Sequence, residues 1–364
     1  MAIQGYIEGL GGKGNGRKYI FENIQSLPAP LWSMKAAIPQ GRNNLASSAI
    51  NGKINVLGGN LTATSQTNKN DCYDPLTDTW SAKTDMPTGR AAHVAIAVNN
   101  NIYTIGGVQN TSATNKNDCY DPLTDTWSAK TDMPTPNSYS AAAMFDDKIY
   151  LFGGIQGRTK NDCYDPLTDT WSAKTDMPTS GYSRVAAVFD GKIHVIGGSS
   201  SSAHDCYDPL TDTWSAKTAR PVAGGGSAHA IHGRIYVIGS QSYPIQNDCY
   251  DPVTDTWAVV DNSINPRSQF AASTVNNKLF VIGGLTGSSI VRVNECYDVF
   301  SGAFVFEIKY RNVLNFDREV CVNGMDIQAN SAIEVDTKKG ADVIFLHNNT
   351  SGTIEPIGEV SITN

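Results

Sequence analysis

The sequence predicts an all-β chain built as a six-bladed propeller, closed by an N-terminal strand and carrying a small terminal β module. Three observations carry that prediction. The phrase Asn70-Asp71-Cys72-Tyr73-Asp74-Pro75-Leu76-Thr77-Asp78-Thr79-Trp80 returns around Trp127, Trp171, Trp214 and, more loosely, Trp257. Tryptophans stand at 32, 80, 127, 171, 214 and 257, separated by 48, 47, 44, 43 and 43 residues. An apolar run ending in a glycine landmark precedes every Cys-Tyr-Asp, from Val56-Leu57-Gly58-Gly59 to Val281-Ile282-Gly283-Gly284, with Gly239-Ser240 as the variant in the fifth copy. Six landmarks of each kind make six repeats.

Each repeat reads as four short strands. The first is rich in small residues, as in Ala91-Ala92-His93-Val94-Ala95-Ile96. A two-residue turn follows (Asn51-Gly52, Asp190-Gly191 and their counterparts), suited to the positive φ of a tight hairpin. The second strand is the apolar run that ends in glycine. A polar loop leads to the third strand, Asp-Cys-Tyr-Asp. Pro-Leu-Thr-Asp-Thr then turns the chain into the Trp strand, and its Asp and Thr residues are expected to cap that turn locally. No stretch shows the 3.6-residue spacing of an amphipathic helix.

The glycine pair, the Tyr-Asp-Pro after it and the Trp beyond resemble the Kelch-repeat family. The resemblance runs from about Trp32 to Phe306 and implies a propeller with one repeat per blade. It leaves function open, because a fold does not fix an activity.

One fourth strand is in excess. Trp32-Ser33-Met34-Lys35 fits that strand but precedes the first blade, whereas Ala303-Phe304-Val305-Phe306 fits it poorly and follows the last Cys-Tyr-Asp. The Trp32 strand is therefore expected to complete blade six. Residues 1–31 read as an N-terminal arm able to pair with the C-terminal module, 32–308 as the ring, and 309–364 as a small β attachment or assembly module. Gly11-Gly12-Lys13-Gly14-Asn15-Gly16-Arg17 lacks the ending and flanking elements of a phosphate loop and reads as a flexible arm.

Net charge is −7, so no broad basic face for nucleic acid is expected. No apolar run approaches the length of a membrane span, and Met1 to Gly9 lacks the pattern of a secretory signal. Synthesis in a cytoplasm is expected, with a virion or other extracellular particle as destination and the cytoplasm itself as the alternative. The cysteines at 72, 119, 163, 206, 249 and 296 fall at one position in six blades, too far apart for disulfides, and read as small buried residues.

Candidate binding residues come from the loops. From the glycine landmark to the Cys the loops hold 12, 11, 8, 7, 8 and 11 residues in blades one to six. Sixteen residues before the first glycine stand Arg42, Arg90, Asn137, Gly181, Ala223 and Arg267. Long loops and arginines coincide in blades six, one and two, which are neighbours in a closed ring, and Arg292 lies in the sixth loop. Two readings stand: a patch for an acidic or carbohydrate ligand, since guanidinium is a planar fork of donors, or arginines paired with Asp and backbone inside the fold. Catalytic, metal and cofactor sites are not predicted. A copper site like that of galactose oxidase needs two His and two Tyr together, and no pair among the six His appears poised. Arg42, Arg90, Arg184 and Arg267 leave a pocket resembling that of sialate mutarotase as one alternative. The expected function is non-catalytic: a neck, tail or receptor-binding appendage of a phage-like particle, a homo-oligomer in an assembly joined through 1–31 and 309–364. An intracellular interaction scaffold is the other alternative.

Overall fold

The computed structural model describes residues 32–239, 246–260 and 262–299 in full, and in the flanks only the backbone of seven strands between residues 3 and 361. Contacts divide the chain into two compact units, Leu31–Val299 and the two flanks together. The flanking unit holds a four-stranded sheet, in which Lys18–Ser26 pairs with Ile3–Glu8 on one side and Phe304–Asn312 on the other, and a three-stranded sheet after it. Phe304–Asn312 thus belongs to the flanking unit, whereas the sequence boundary at 308 places its first residues in the ring. Assembly through 1–31 and 309–364 concerns side chains and loops outside the described residues. Among the described residues no helix is long and apolar enough to cross a membrane.

The larger unit is six four-stranded antiparallel sheets. Blade one shows the pattern: Ala46–Ile50, Lys53–Leu57, Asn70–Asp74 and Thr79–Lys83 pair in chain order. The first strands of successive blades neighbour one another in a closed circle. Their hairpin turns adopt the expected left-handed backbone, with φ of 50° at Asn51 and 72° at Gly52, and 51° and 56° at Asp146 and Asp147. The second strands are almost wholly buried, and they build one core cluster between each pair of sheets. Tyr150 and Phe152 of blade three, for example, pack with Ile193, Val195 and Tyr207 of blade four.

Blade six has the strand order Ala271–Val275, Lys278–Ile282, Asn294–Asp298 and then Trp32–Lys35. Trp32 stands opposite Tyr297 and Ser33 opposite Cys296. That is the register of Trp80 with Tyr73 and Ser81 with Cys72 in blade one. The Trp32 and Tyr297 rings lie 4.9 Å apart, against 5.0 Å for Tyr73 and Trp80. The early strand therefore closes the ring, as the excess fourth strand predicts.

The repeated phrase is a clamp on the neighbouring blade. Asp125 accepts the Tyr120 hydroxyl at 2.6 Å and the backbone N–H of Thr84, in the preceding blade, at 2.9 Å. Trp127 Nε1 donates to the carbonyl of the same Thr84 at 2.8 Å. Both polar groups of one backbone residue are thus held by two side chains from the next sheet. Asp169 and Trp171 hold Thr131, Asp212 and Trp214 hold Thr175, and Asp255 and Trp257 hold Thr218 in the same way. Asp78 and Trp80 hold Ala36, so the closing strand is secured by the same device. Position 261, where the sixth clamp would act, lies outside the described residues. Only the first Asp of the turn behaves as a local cap, Asp165 accepting from Leu167 N at 2.9 Å.

Asp169→Ala strips the acceptor from Tyr164 and Thr131 and is expected to cost about 1–3 kcal/mol. Leu167→Ala, at an exposed site of the same turn, is expected to leave stability unchanged. Urea midpoints at constant slope check both.

Candidate functional site

The links that enter the first strands meet around the ring axis. Asn44, Ala92, Tyr139, Ser183 and Gln269 occupy one equivalent position and share a left-handed backbone, with φ of 50°, 53°, 57°, 53° and 55°. Side chains there cost of order 1 kcal/mol each. A belt of hydrogen bonds holds the conformation. Asn44 N donates to Gln269 O, Ala92 N to Asn44 O, Tyr139 N to Ala92 O and Ser183 N to Tyr139 O, at 2.8 to 3.0 Å. Blade five places Gly225 there, where a Cβ would lie 1.7 Å from Ser183 O. The belt rims a cavity of about 150 Å3 lined by residues of all six blades. Its lining residues include Asn44, Gln269, Tyr139 and Ser183, together with His93 and Arg184, each the next residue in sequence after a belt position. His93 is buried, and neither ring nitrogen has a hydrogen-bond partner within the protein. Burial, then the charges of Arg90 and Arg42, pushes its pKa down to about 3, so it is neutral.

The structure corrects the reading of the arginines as an open patch. Arg42, Arg90 and Arg267 are buried, at 0 %, 0 % and 1 % exposure. Each is paired within its own blade: Arg42 with Asp71 at 2.6 Å, Arg90 with Asp118 at 2.6 Å and Arg267 with Glu295 at 2.7 Å. Arg42 and Arg90 also donate to backbone carbonyls of the loop that follows the second strand, Lys69 O at 3.1 Å and Lys116 O at 3.0 Å, whereas Arg267 donates to Asn265 O and Val281 O. Arg292 is exposed but reaches across the closing seam, its Nε donating to Ile38 O at 2.8 Å. The four are loop and seam fasteners. Blades four and five carry the same fastener from displaced positions, Arg184 with Asp205 at 2.8 Å and Arg220 with Asp248 at 2.7 Å. Sequence alignment of the repeats misses both, because Arg184 stands three residues after the aligned position and Arg220 three before it. Blade three uses no arginine: Asn137 Nδ2 donates to Gly153 O at 2.7 Å, and burial raises the pKa of Asp162.

One histidine pair, unanticipated from the sequence, forms inside blade four. His194 Nδ1 lies 2.8 Å from His204 Nε2, His204 Nδ1 3.3 Å from Thr218 O, and Cys206 Sγ 3.8 Å from His194 Nε2. One tautomer choice satisfies all three, with the thiol donating to His194, His194 to His204, and His204 to the carbonyl. Blades one, two, three and six carry Asn70, Asn117, Asn161 and Asn294 in the place of His204, donating to the equivalent clamped carbonyls. Burial lowers His194 to about 4 and His204 to about 3. His229 is lowered to about 4 and bonds to Ser227 and Thr274. The six repeat cysteines are buried free thiols.

A model of the Kelch-repeats domain of KLHDC2, KLHL20 and DRC7 matches residues 5–198 and 129–284. The chain is 31 % identical over 106 residues to Kelch-like protein terF of Aspergillus terreus, a stretch covering 27 % of this chain and 23 % of that protein. It is 32 % identical over 103 residues to Kelch-like protein 40 of Xenopus tropicalis, covering 28 % and 17 %. It is 30 % identical over 110 residues to Kelch-like protein 35 of Mus musculus, covering 30 % and 19 %. The chain thus spans under a quarter of these relatives. A solved structure titled "Structure of YjhT" superposes with a TM-score of 0.62 at 17 % identity, over 72 % of this chain and 96 % of that one, a likeness of fold.

Two outcomes are expected. Asp118→Ala leaves the Arg90 guanidinium buried and unpaired and costs about 3–5 kcal/mol, measured by denaturant unfolding. Acid weakens the fold through His93, His194, His204 and His229. Their folded pKa values, about 3 to 4, lie below the unfolded value. Unfolding therefore takes up protons, so their stabilisation is full above pH about 6.5 and falls as pH drops towards the folded values, by roughly 1.4 kcal/mol per pH unit for each. The His194→Tyr/His204→Asn variant copies Tyr150 and Asn161 of blade three. It is expected to fold and to flatten the pH dependence by two protons, read from unfolding free energy against pH.

Proposed function

We infer that this chain, a member of the Kelch-repeat family, acts as a non-catalytic binding propeller that captures a protein partner at the axial mouth of its variable-loop face. One observation carries the reading. The clamp residues are the same in blades one to five, while the belt position holds a different residue in each blade, Asn44, Ala92, Tyr139, Ser183, Gly225 and Gln269, five of them on the same left-handed backbone. A fixed backbone with changing side chains gives one face a chemically irregular surface, and the link and loop lengths vary on that same face. Polar groups on a rigid scaffold suit selective capture.

An interaction scaffold takes precedence over a particle appendage, because the matched relatives are Kelch-like proteins from a fungus, a frog and a mouse. The buried free thiols suit action in a reducing compartment such as the cytoplasm.

Partners recovered by cross-linking to the full chain should be purified and titrated against it. The Tyr139→Ala/Gln269→Ala variant is expected to weaken binding at least about tenfold, the loss of one or two buried contacts. Leu76→Ala/Leu123→Ala, on exposed turns of the opposite face, is expected to bind as wild type. The reverse pattern moves the site to that face and removes the axial reading.

A further inference from the structure

Five of the six blades set a buried arginine against a recurring frame of oxygens. The guanidinium pairs with the acid one residue before the Cys. In blades one, two, four and five it also takes the carbonyl two residues before that acid, Lys69 O, Lys116 O, Ala203 O and Gln246 O, at 3.0 to 3.3 Å. A second-strand carbonyl, of Val56, Thr104, Val195 or Val281, receives it in blades one, two, four and six.

Blade three keeps the frame. Asp162 stands at the acid position, and Lys160 O accepts from Gly153 N at 2.9 Å, as Lys116 O accepts from Gly106 N at 2.9 Å in blade two. The three link positions that supply an arginine elsewhere hold Pro134, Asn137 and Ser140 here. Asn137 and Ser140 both donate to Gly153 O, at 2.7 and 3.2 Å. The two cations of the adjoining loop are engaged elsewhere: Lys160 Nζ lies 3.2 Å from Asp176, and the Arg158 guanidinium 5.1 Å from the centre of the Tyr182 ring. Among the described residues Asp162 joins no ion pair or hydrogen bond. Its counterparts in the other five blades are buried, whereas Asp162 is partly exposed, and neither of its oxygens is among the enclosed atoms that lack a partner.

We propose that Asp162 and the carbonyls beside it receive an arginine side chain from a protein partner, supplied from outside where the other blades supply their own. The proposal rests on the reading of the chain as a protein-binding propeller and adds the partner's chemistry, an exposed arginine. The five filled frames show what these oxygens fit. A guanidinium is a planar fork that takes a carboxylate and carbonyls together, whereas an ammonium is a compact, strongly hydrated point of charge. A divalent metal would want several oxygen ligands at once, and no three of His, Cys, Asp and Glu stand together among the described residues. An anion would meet a carboxylate and be repelled.

The test is calorimetric titration of the full chain with acetyl-Gly-Arg-Gly-amide, and with the same peptide carrying lysine or citrulline in place of arginine. The arginine peptide is expected to bind with a Kd of roughly millimolar order, more weakly as salt is added. Citrulline, its uncharged isostere, is expected to bind at least about tenfold more weakly, and lysine less tightly than arginine. Asp162→Asn is expected to lose binding about tenfold or more at an unchanged melting temperature, because the carboxylate holds nothing within the blade. Asn137→Arg, which gives blade three the arginine of blades one, two and six, is expected to abolish binding; should it fold poorly, Asp162→Asn decides alone. Gln269→Ala, at the axial mouth in blade six, keeps peptide binding, so this site and the axial one fail separately. No binding of the arginine peptide, citrulline or lysine binding as tightly, or wild-type binding by Asp162→Asn or by folded Asn137→Arg each overturns the proposal.

Discussion

The ring depends on a two-point grip on one backbone residue at each of the five junctions described. A carboxylate takes its N–H and an indole takes its C=O, and both come from the next sheet. For Thr84 the donors and acceptors are Asp125 and Trp127. The grip makes the end of one blade's fourth strand an outlying part of the next blade. It also explains why Tyr, Asp and Trp recur together. Tyr120 holds the Asp125 carboxylate in place and packs 5.0 Å from Trp127, so the three residues act as one unit. Desolvation raises the Tyr120 phenol and the hydrogen bond it donates keeps Asp125 below the ordinary carboxylate range, so the pair is held as phenol and carboxylate.

Clamp and belt divide the labour along each blade. The outer clamp fixes spacing between sheets, and the belt links blades six, one, two, three and four in turn by backbone around the axis. Neither depends on the identity of the belt side chains, apart from Gly225, where the backbone passes too close for a Cβ. Side chains at the mouth are therefore free to differ while the ring stays the same. The arginines sit between these layers. Each takes loop carbonyls and a carboxylate into the interior, and burial opposes the charge on both partners, as for Arg42 and Asp71. Such pairs are better at fixing a loop's path than at adding stability.

Period, hairpin turns, buried cysteines and closure by Trp32 were all legible in the sequence, because each follows from a local pattern repeated in register. What partners do across a junction was not. The second Asp of the turn looks like a local cap, and only the neighbouring sheet reveals Thr131 as the residue that Asp169 holds. The arginines were visible as a recurring position, but their burial depends on the acid one residue before each Cys, on another strand. Arg184 and Arg220 escaped because a guanidinium reaches the same spot from backbone positions several residues apart. His194 and His204 are ten residues apart across a loop, and strand pairing brings them together. The belt left no trace in composition, since left-handed Ala92 and Tyr139 run against local preference.

A clamp that acts only between neighbours carries no information about how many blades there are. Each junction would form equally well in a longer array, as in other repeat folds. The count is set where the pattern breaks. Trp32–Lys35 supplies a fourth strand without a third strand of its own, and Asn294–Asp298 supplies a third strand that lacks a following Trp in sequence. Each half is incomplete, and only pairing with the other satisfies it. Arg292 and Ile38 reinforce this single junction with bonds in both directions, Ile38 N to Arg292 O at 3.1 Å and Arg292 Nε to Ile38 O at 2.8 Å. The near-identical inner copies can therefore be exchanged for one another without changing the ring, whereas the two dissimilar ends cannot, and the ends are what make it a closed circle of six.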